Sequence, residues 1–217
     1  MAQVLAIANP TARSGKTSAA MGVSAALVEL GQTVLAIDLD AQASLTRGLG
    51  IDAETITCSL FDVLVHGTSA LEAMTDTDAG IDLLPAALEL SGIDALLVTR
   101  AGREQLLQHA LASAMDDYDW IVLDCGSSMG LLMQNALAMA TKLVVPVREH
   151  SARSLAQLLD AAEELRRFVN PDLAVIGILP IGASLDVELD VPVLSAVLPP
   201  PRAASAYRAL AQTLVSL

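Results

Sequence analysis

The chain has 217 residues, is 53% hydrophobic and carries a formal net charge of −13 at pH 7. This size suits one α/β domain with its own apolar core, whereas no apolar run approaches the ~20 residues of a membrane span. An acidic surface repels nucleic acid and anionic lipid. The two cysteines, Cys58 and Cys125, form neither a disulfide framework nor a metal-ligand spacing, and no signal peptide precedes the first strand-like run. We therefore expect a cytoplasmic protein that does not bind membranes.

Short apolar runs alternate with helical patterns along the whole chain. Most of these runs are continuously apolar, as in strands of a parallel sheet that is covered on both faces. The pattern predicts a doubly wound, mostly parallel α/β sheet with helices on both faces, in one domain over residues 1–217. Predicted strands cover 4–8, 33–38, 81–84, 120–124, 143–147, 174–179 and 193–197, and predicted helices cover 16–30, 103–115, 131–140, 153–169 and 203–215.

A phosphate-binding loop is predicted between the first strand and the first helix. Backbone N–H groups, a helix N-terminus and a lysine together favour an anion there. The pattern G-x-x-x-x-G-K-[ST] is missed once, because Pro10 replaces its first glycine. An ordinary loop capped by Ser14 is the alternative. The predicted nucleotide-binding residues are Thr11, Ala12, Arg13, Ser14, Gly15, Lys16, Thr17 and Ser18.

Carboxylates follow two of the predicted strands where a parallel sheet presents its ligand edge. Asp38 and Asp40 close the second strand, and Asp124 closes the fourth. We predict Mg²⁺ at Thr17, Asp38 and Asp124, with Asp124 in a Walker B role. Asp40 is predicted to orient an attacking water, and Asp40 and Lys16 are the predicted catalytic residues. For each aspartate alone, a helix cap or a solvated loop is the alternative.

These segments resemble the ParA/MinD family of deviant Walker ATPases, and most closely its Soj-like partition proteins. Residues 34–42, which read VLAIDLDAQ, are similar to the family's D-x-D-P-Q segment, with Ala41 in place of proline. Residues 117–125 resemble its Walker B strand, and further similarities lie at 45–50, 82–90, 102–104, 146–147, 157–159 and 206–210. The resemblance implies ATP or ADP with Mg²⁺, a homodimer and an adaptor protein of the ParB type.

The chain also departs from that family pattern. The family loop reads K-G-G-x-G-K-[ST], whereas Thr11, Ala12 and Arg13 occupy its first three positions here. The missing first lysine reaches the partner's phosphates in the family, so we expect slow hydrolysis, unless the Arg13 guanidinium replaces it. The family's Pro-Pro after Walker B is Gly126-Ser127 here. A short connection at 181–191 removes part of the family's DNA-binding face, so neither DNA binding nor association with the nucleoid is expected.

Two further features bear on the site. Pro200 follows the last predicted strand and is expected to border the adenine, from sheet geometry alone. His66, His109 and His150 share no metal spacing, and Arg166-Arg167 suit the C-terminal end of a helix better than nucleic acid.

Three functions remain open from the sequence. The first is a ParA-like ATPase that positions DNA or a protein cargo. The second is a nucleotide-binding module with little or no turnover and no DNA binding. The third is an ATP-dependent ligase of the same fold, such as dethiobiotin synthetase, although no small-molecule site is visible in the sequence.

Overall fold

The computed structural model describes residues 2–148, 152–182, 191–197 and 203–217. Its seven strands are β1 (Gln3–Ile7), β2 (Val34–Leu39), β3 (Thr75–Asp76), β4 (Asp82–Leu84), β5 (Trp120–Cys125), β6 (Lys142–Val147) and β7 (Ala174–Pro180). They form one sheet in the order β3-β4-β2-β5-β1-β6-β7. Every neighbouring pair is parallel except β3 with β4. The carboxyl ends of β1, β2 and β5 therefore meet at one edge.

Helices cover both faces of this sheet, which confirms the predicted doubly wound architecture. They are α1 (Lys16–Glu29), α2 (Ser44–Gly48), α3 (Ala70–Ala73), α4 (Ile93–Leu97), α5 (Leu106–Leu111), α6 (Leu131–Met139), α7 (Ala152–Phe168) and α8 (Ala203–Ser216). Alternate residues of β1 face opposite sides. Leu5 and Ile7 join the core with α1 and α8, while Val4 and Ala6 join the core with α4 to α7. Both layers are apolar because each strand is buried on two faces.

The segment between β2 and β5 is more irregular than predicted. One helix was expected over 103–115, but the structure has a 3₁₀ turn at Arg103–Gln105, the short helix α5 and a second 3₁₀ turn at Met115–Asp117. A π turn at Asp62–His66 and a 3₁₀ turn at Leu88–Gly92 were not predicted. Turns this short give no helical periodicity in the sequence, so their apolar residues fit several patterns.

The predicted strand at 193–197 is not a continuous strand. It makes only two isolated parallel bridges to the edge of the sheet, Ile178 with Val193 and Ile181 with Val197. Between the two bridges, the chain advances three residues from Ile178 to Ile181 but four from Val193 to Val197. The extra residue interrupts the hydrogen-bond ladder. The segment still extends the sheet beside β7, through hydrogen bonds such as that from the Val197 N–H to the Pro180 carbonyl (2.7 Å).

Helix α8 closes the sheet face on which α1 lies. Tyr207 lies against Gly22 of α1, so closely that a Cβ at Gly22 would come 2.1 Å from the ring. Arg208 forms a bidentate ion pair with Glu29 at the end of α1. Among the described residues, no helix is long and apolar enough to cross a membrane.

Candidate nucleotide site

Asn9 organises the loop between β1 and α1. Its side chain is buried, donates from Nδ2 to the Pro146 carbonyl (2.7 Å) and accepts the Thr11 N–H on Oδ1 (2.7 Å). The second bond is an Asx turn, in which an asparagine side chain stands in for a backbone turn. Sequence reasoning gave Asn9 no role, although an asparagine two residues before Thr11 is a recognisable signal of such a turn. The loop is thereby fixed to β6 without the glycine that Pro10 replaces.

Lys16 is held inside this loop. Its side chain is only 7% exposed, and Nζ donates to the Thr11 carbonyl at 3.0 Å and lies 3.5 Å from the Ser14 hydroxyl. Burial lowers the pKa of the Lys16 ammonium, and the negative charge of Asp124 acts in the opposite direction. A buried ammonium held by neutral oxygens is a cation available to an anionic ligand.

The loop ends at the N-terminus of α1. Gly15 is the N-cap, with φ +98°, and it has no side chain with which to cap the first N–H groups of the helix. A Cβ there would also come 3.0 Å from Ile181, so glycine is needed for both conformation and space. Arg13 adopts φ +58°, a conformation that costs a non-glycine residue about 1 kcal/mol. Its side chain is exposed at the loop surface.

Asp124 lies behind Lys16 at the end of β5. It is fully buried, and neither carboxylate oxygen makes a hydrogen bond of ordinary geometry with any described residue. Burial, with a smaller contribution from the charge of Asp38, raises the pKa of Asp124 to about 8, while the nearby Thr17 hydroxyl and Lys16 oppose the rise. A buried carboxylate without donors costs free energy unless a cation or another donor completes its surroundings.

Asp38 lies opposite Asp124 in the register of β2 and β5 but has a different environment. Its Oδ2 accepts both the N–H and the hydroxyl of Thr46, each at 2.8 Å, and its Oδ1 accepts the Asp40 N–H at 3.1 Å. The Thr46 hydroxyl in turn accepts the Ala86 N–H at 3.2 Å. Burial raises the pKa of Asp38, against these hydrogen bonds. These contacts connect the end of β2 to α2 and to the end of β4.

Asp40 borders a cleft of about 350 Å³ at the carboxyl ends of β2 and β5. Its Oδ1 accepts the Gln42 N–H at 3.0 Å, in an Asx turn that fixes the direction of the carboxylate. Gly126, just after β5, packs against it, since a Cβ there would lie 3.7 Å from the Asp40 Cγ. The remaining lining comes from the segments after β2 and β5 and from the α4 region: Leu39, Ala41, Gln42, Leu90, Ser91, Ile93, Asp94, Ser127, Ser128, Gly130, Leu132 and Met133.

The structure brings most of the predicted residues to one edge of the sheet. The loop at 11–18 lies at the end of β1, Asp38 and Asp40 at the end of β2, and Asp124 at the end of β5. Burial separates them into inner residues, such as Lys16, and exposed ones, such as Ala12 and Ser18. Pro200 lies outside the described residues. Asn9, Thr46 and Asp94 were not recognised from the sequence, because their roles depend on partners distant along the chain or on an unassigned turn.

Known proteins share this arrangement of fold and sequence. A family model described as an AAA domain matches residues 2–175. The sporulation initiation inhibitor protein Soj of Bacillus subtilis is 33% identical over 182 residues, covering 82% of this chain and 72% of Soj. The chromosome partitioning protein ParA of Caulobacter vibrioides is 34% identical over 182 residues, covering 82% and 68%. A crystal structure named cobyrinic acid a,c-diamide synthase from Mycobacterium smegmatis, with bound ADP and magnesium, has a TM-score of 0.94 at 34% identity, covering 99% of this chain and 94% of that one.

The parallel sheet, the loop before α1 and the buried lysine define the class of P-loop ATPases. Within that class, the extent of the matches identifies the family. The chain belongs to the ParA/MinD family of P-loop ATPases, among the relatives of Soj and ParA.

Proposed function

We propose that this protein binds ATP and Mg²⁺ at the loop between β1 and α1. The observation that carries the proposal is the pairing of a buried ammonium, Lys16, with a buried carboxylate, Asp124, whose oxygens make no hydrogen bond of ordinary geometry with a described residue. Lys16 and the first N–H groups of α1 would hold the phosphates. The structure of the Mycobacterium smegmatis relative, with its ADP and magnesium, supports this assignment.

Thr17 and Asp124 are the residues that would hold Mg²⁺. A hard cation prefers hydroxyl and carboxylate oxygens, and the Asp124 oxygens make no hydrogen bond of ordinary geometry with a described residue. Bound Mg²⁺ would supply positive charge to the phosphate oxygens. The predicted role of Asp38 as a metal residue is better replaced by a positioning role, because three donors already occupy its two oxygens. In that role it fixes the turn that carries Asp40.

Hydrolysis is proposed to be slow. Asp40 borders the cleft and would orient a water, which is one requirement of phosphoryl transfer. The other requirement is positive charge as the phosphate departs, and Thr11 presents a neutral hydroxyl where the family has an ammonium. The exposed Arg13 guanidinium is the rival source of that charge, and its strained backbone shows that the loop tolerates a non-glycine residue there.

The cellular role proposed is partition or intracellular positioning of DNA or a protein cargo. The names of two relatives support it, since Soj and the Caulobacter ParA are identified as a sporulation initiation inhibitor and a chromosome partitioning protein. We propose a homodimer and an adaptor of the ParB type as partners. A nucleotide-binding module without useful turnover remains the alternative, and ATPase assays with and without DNA and adaptor distinguish the two.

The test of the nucleotide site is Lys16→Ala, measured by calorimetry with ATP and Mg²⁺. Removing a charge-assisted phosphate contact should cost roughly 1.5–3 kcal/mol, or about ten- to a hundredfold in affinity. Lys142→Ala is the matched control, because Lys142 contacts Gln3 and Trp120 at the other end of the strands. Unchanged ATP affinity in Lys16→Ala would overturn the assignment.

A second candidate function is an ATP-dependent amide synthase. It is favoured by the similarity to the Mycobacterium smegmatis structure that bears such a name. An acid that becomes an amide presents a carboxylate, yet the described residues that line the cleft beside Asp40 include two aspartates and no basic side chain. That lining suits a carboxylate acceptor poorly. ATP turnover that requires an added carboxylic acid and an amine donor would favour this candidate over the first.

A further inference from the structure

The loop after β5 is held by a carboxylate from a different part of the chain. Asp94 of α4 accepts the Leu131 N–H on Oδ1 at 3.1 Å, and Leu131 is the first residue of α6. The approach requires Gly130, because a Cβ there would come 2.3 Å from the Asp94 Oδ2. Ser128 adds a local bond by accepting the Gly130 N–H at 3.2 Å. A carboxylate at this position both satisfies an N–H group and suits the helix dipole.

The same loop, residues 126–130, also borders the cleft that Asp40 lines. Residues 126–130 connect β5 to α6, and four of them, Gly126, Ser127, Ser128 and Gly130, line the same cleft as Asp40. A Cβ at Gly126 would lie 3.5 Å from the Leu39 carbonyl and 3.7 Å from the Asp40 Cγ, so even the smallest side chain there would touch the segment that carries Asp40. Movement of the loop would therefore change the surroundings of Asp40 directly.

The segment that follows α4 is also attached to α6. Asn135, buried in α6, accepts the Leu107 N–H on Oδ1 at 3.0 Å and donates from Nδ2 to the Arg103 carbonyl at 2.7 Å. These bonds tie the segment after α4 to α6 one turn beyond the Asp94 contact. Both Asp94 and the segment that follows α4 are therefore hydrogen-bonded to the first two turns of α6.

We propose that Asp94 is a positioning residue for ATP hydrolysis, which holds loop 126–130 against Asp40. The inference rests on the proposed function for its catalytic consequence. Its structural consequence, an ordered loop, is independent of that function. A residue that only capped α6 would change stability, whereas a positioning residue changes turnover more than nucleotide affinity.

The experiment compares Asp94→Ala, Asp94→Asn and the control Asp62→Ala in the full chain. Asp62 accepts the Ser59 N–H at 2.9 Å, so the control removes a similar carboxylate-to-backbone bond elsewhere in the fold. Turnover of ATP, affinity for ATP by calorimetry and hydrogen exchange of peptides spanning 126–135 are measured for each variant. Losing a cap of ordinary strength in Asp94→Ala should lower turnover about fivefold and change the Kd for ATP less than about twofold.

Asp94→Ala should also accelerate exchange at 126–135, and Asp94→Asn should restore much of the protection, because its Oδ1 still accepts a hydrogen bond. The Asp62→Ala control should alter neither turnover nor that exchange. Unchanged exchange at 126–135 in Asp94→Ala, or equal losses of turnover in Asp94→Ala and Asp62→Ala, would overturn the proposal. If the wild-type chain binds no nucleotide, the proposed function fails, while the exchange comparison still decides whether Asp94 holds the loop.

Discussion

At the scale of single residues, the site is built at a cost to the fold. Asp124 is buried without a hydrogen bond of ordinary geometry to a described residue, and Arg13 holds a left-handed backbone conformation. Neither feature helps the chain to fold, and both lie at the phosphate loop or directly behind it. Proteins retain such costs mainly where function needs them. Two predictions follow at this scale.

The first concerns Asp124→Asn and the stability of the nucleotide-free protein. Because the folded-state pKa is about 8, the folded protein keeps the Asp124 proton while the unfolded chain, with an ordinary carboxyl pKa near ~4, loses it. The contribution of Asp124 to stability is therefore full below about pH 4, the unfolded-state pKa, and is lost as pH rises toward the folded-state pKa of about 8. Asp124→Asn should be more stable than wild type by roughly 1–3 kcal/mol at pH 8, and the gain should shrink at pH 5.

Urea unfolding at the two pH values, without nucleotide, measures this difference. Added ATP and Mg²⁺ should stabilise the wild type but much less the asparagine variant, which has lost a negative ligand for the cation. A variant that is less stable than wild type at pH 8 would contradict the interpretation of Asp124 as a strained, functional carboxylate.

The second residue-scale prediction separates Thr11 from Arg13. Thr11→Lys should raise ATP turnover, because it supplies the missing ammonium if the partner chain approaches closely. Arg13→Gly removes the guanidinium while keeping the loop backbone, since glycine accepts φ +58° without strain. We expect the low basal turnover to persist in Arg13→Gly. If the wild type instead hydrolyses ATP at a rate ordinary for the family, and Arg13→Gly abolishes this activity, Arg13 is the replacement cation.

At the scale of elements, α8 is fixed to α1 by a close contact between a ring and a glycine. A Cβ at Gly22 would overlap Tyr207, which is itself largely buried. Gly22→Ala should therefore lower the free energy of unfolding by roughly 1–3 kcal/mol, because the ring and α8 must shift. Gly92→Ala is the matched control, since no atom lies within 4 Å of a Cβ there. Equal unfolding midpoints for the two variants in urea would show that α8 does not pack as described.

The elements also show how far the sequence could be interpreted. The long helices α1, α6, α7 and α8 and the buried strands were predicted close to their observed bounds, because their patterns repeat over many residues. The turns between β2 and β5 were missed, because each is too short for its own period. The hydrogen bonds of Asp38 with Thr46 and of Asp94 with Leu131 join residues 8 and 37 positions apart, and no local pattern encodes such pairs.

At the scale of the whole molecule, net charge governs the encounter with nucleic acid. The chain carries −13, and its described arginines at 166 and 208 are engaged with Glu163 and Glu29. We therefore predict weak or absent binding to nonspecific DNA at physiological salt. Fluorescence anisotropy with a labelled duplex, over a range of salt concentrations and with ATP present, measures it. A micromolar complex that weakens steeply with salt would contradict the prediction.

The sequence by itself determined the fold class, the phosphate loop and the family. Apolar runs that alternate with helical patterns, a Gly-Lys-Thr tripeptide at a helix start and a series of family-like segments in order are all local signals. Only the tertiary structure distinguished the hydrogen-bonding surroundings of the two buried carboxylates. Asp38 and Asp124 look alike in the sequence, each at the end of an apolar strand, and they face each other in the sheet. Thr46 donates two hydrogen bonds to Asp38, whereas Asp124 makes no hydrogen bond of ordinary geometry with a described residue. The difference is set by partners that only the folded chain brings together, and burial then converts it into a difference in free energy.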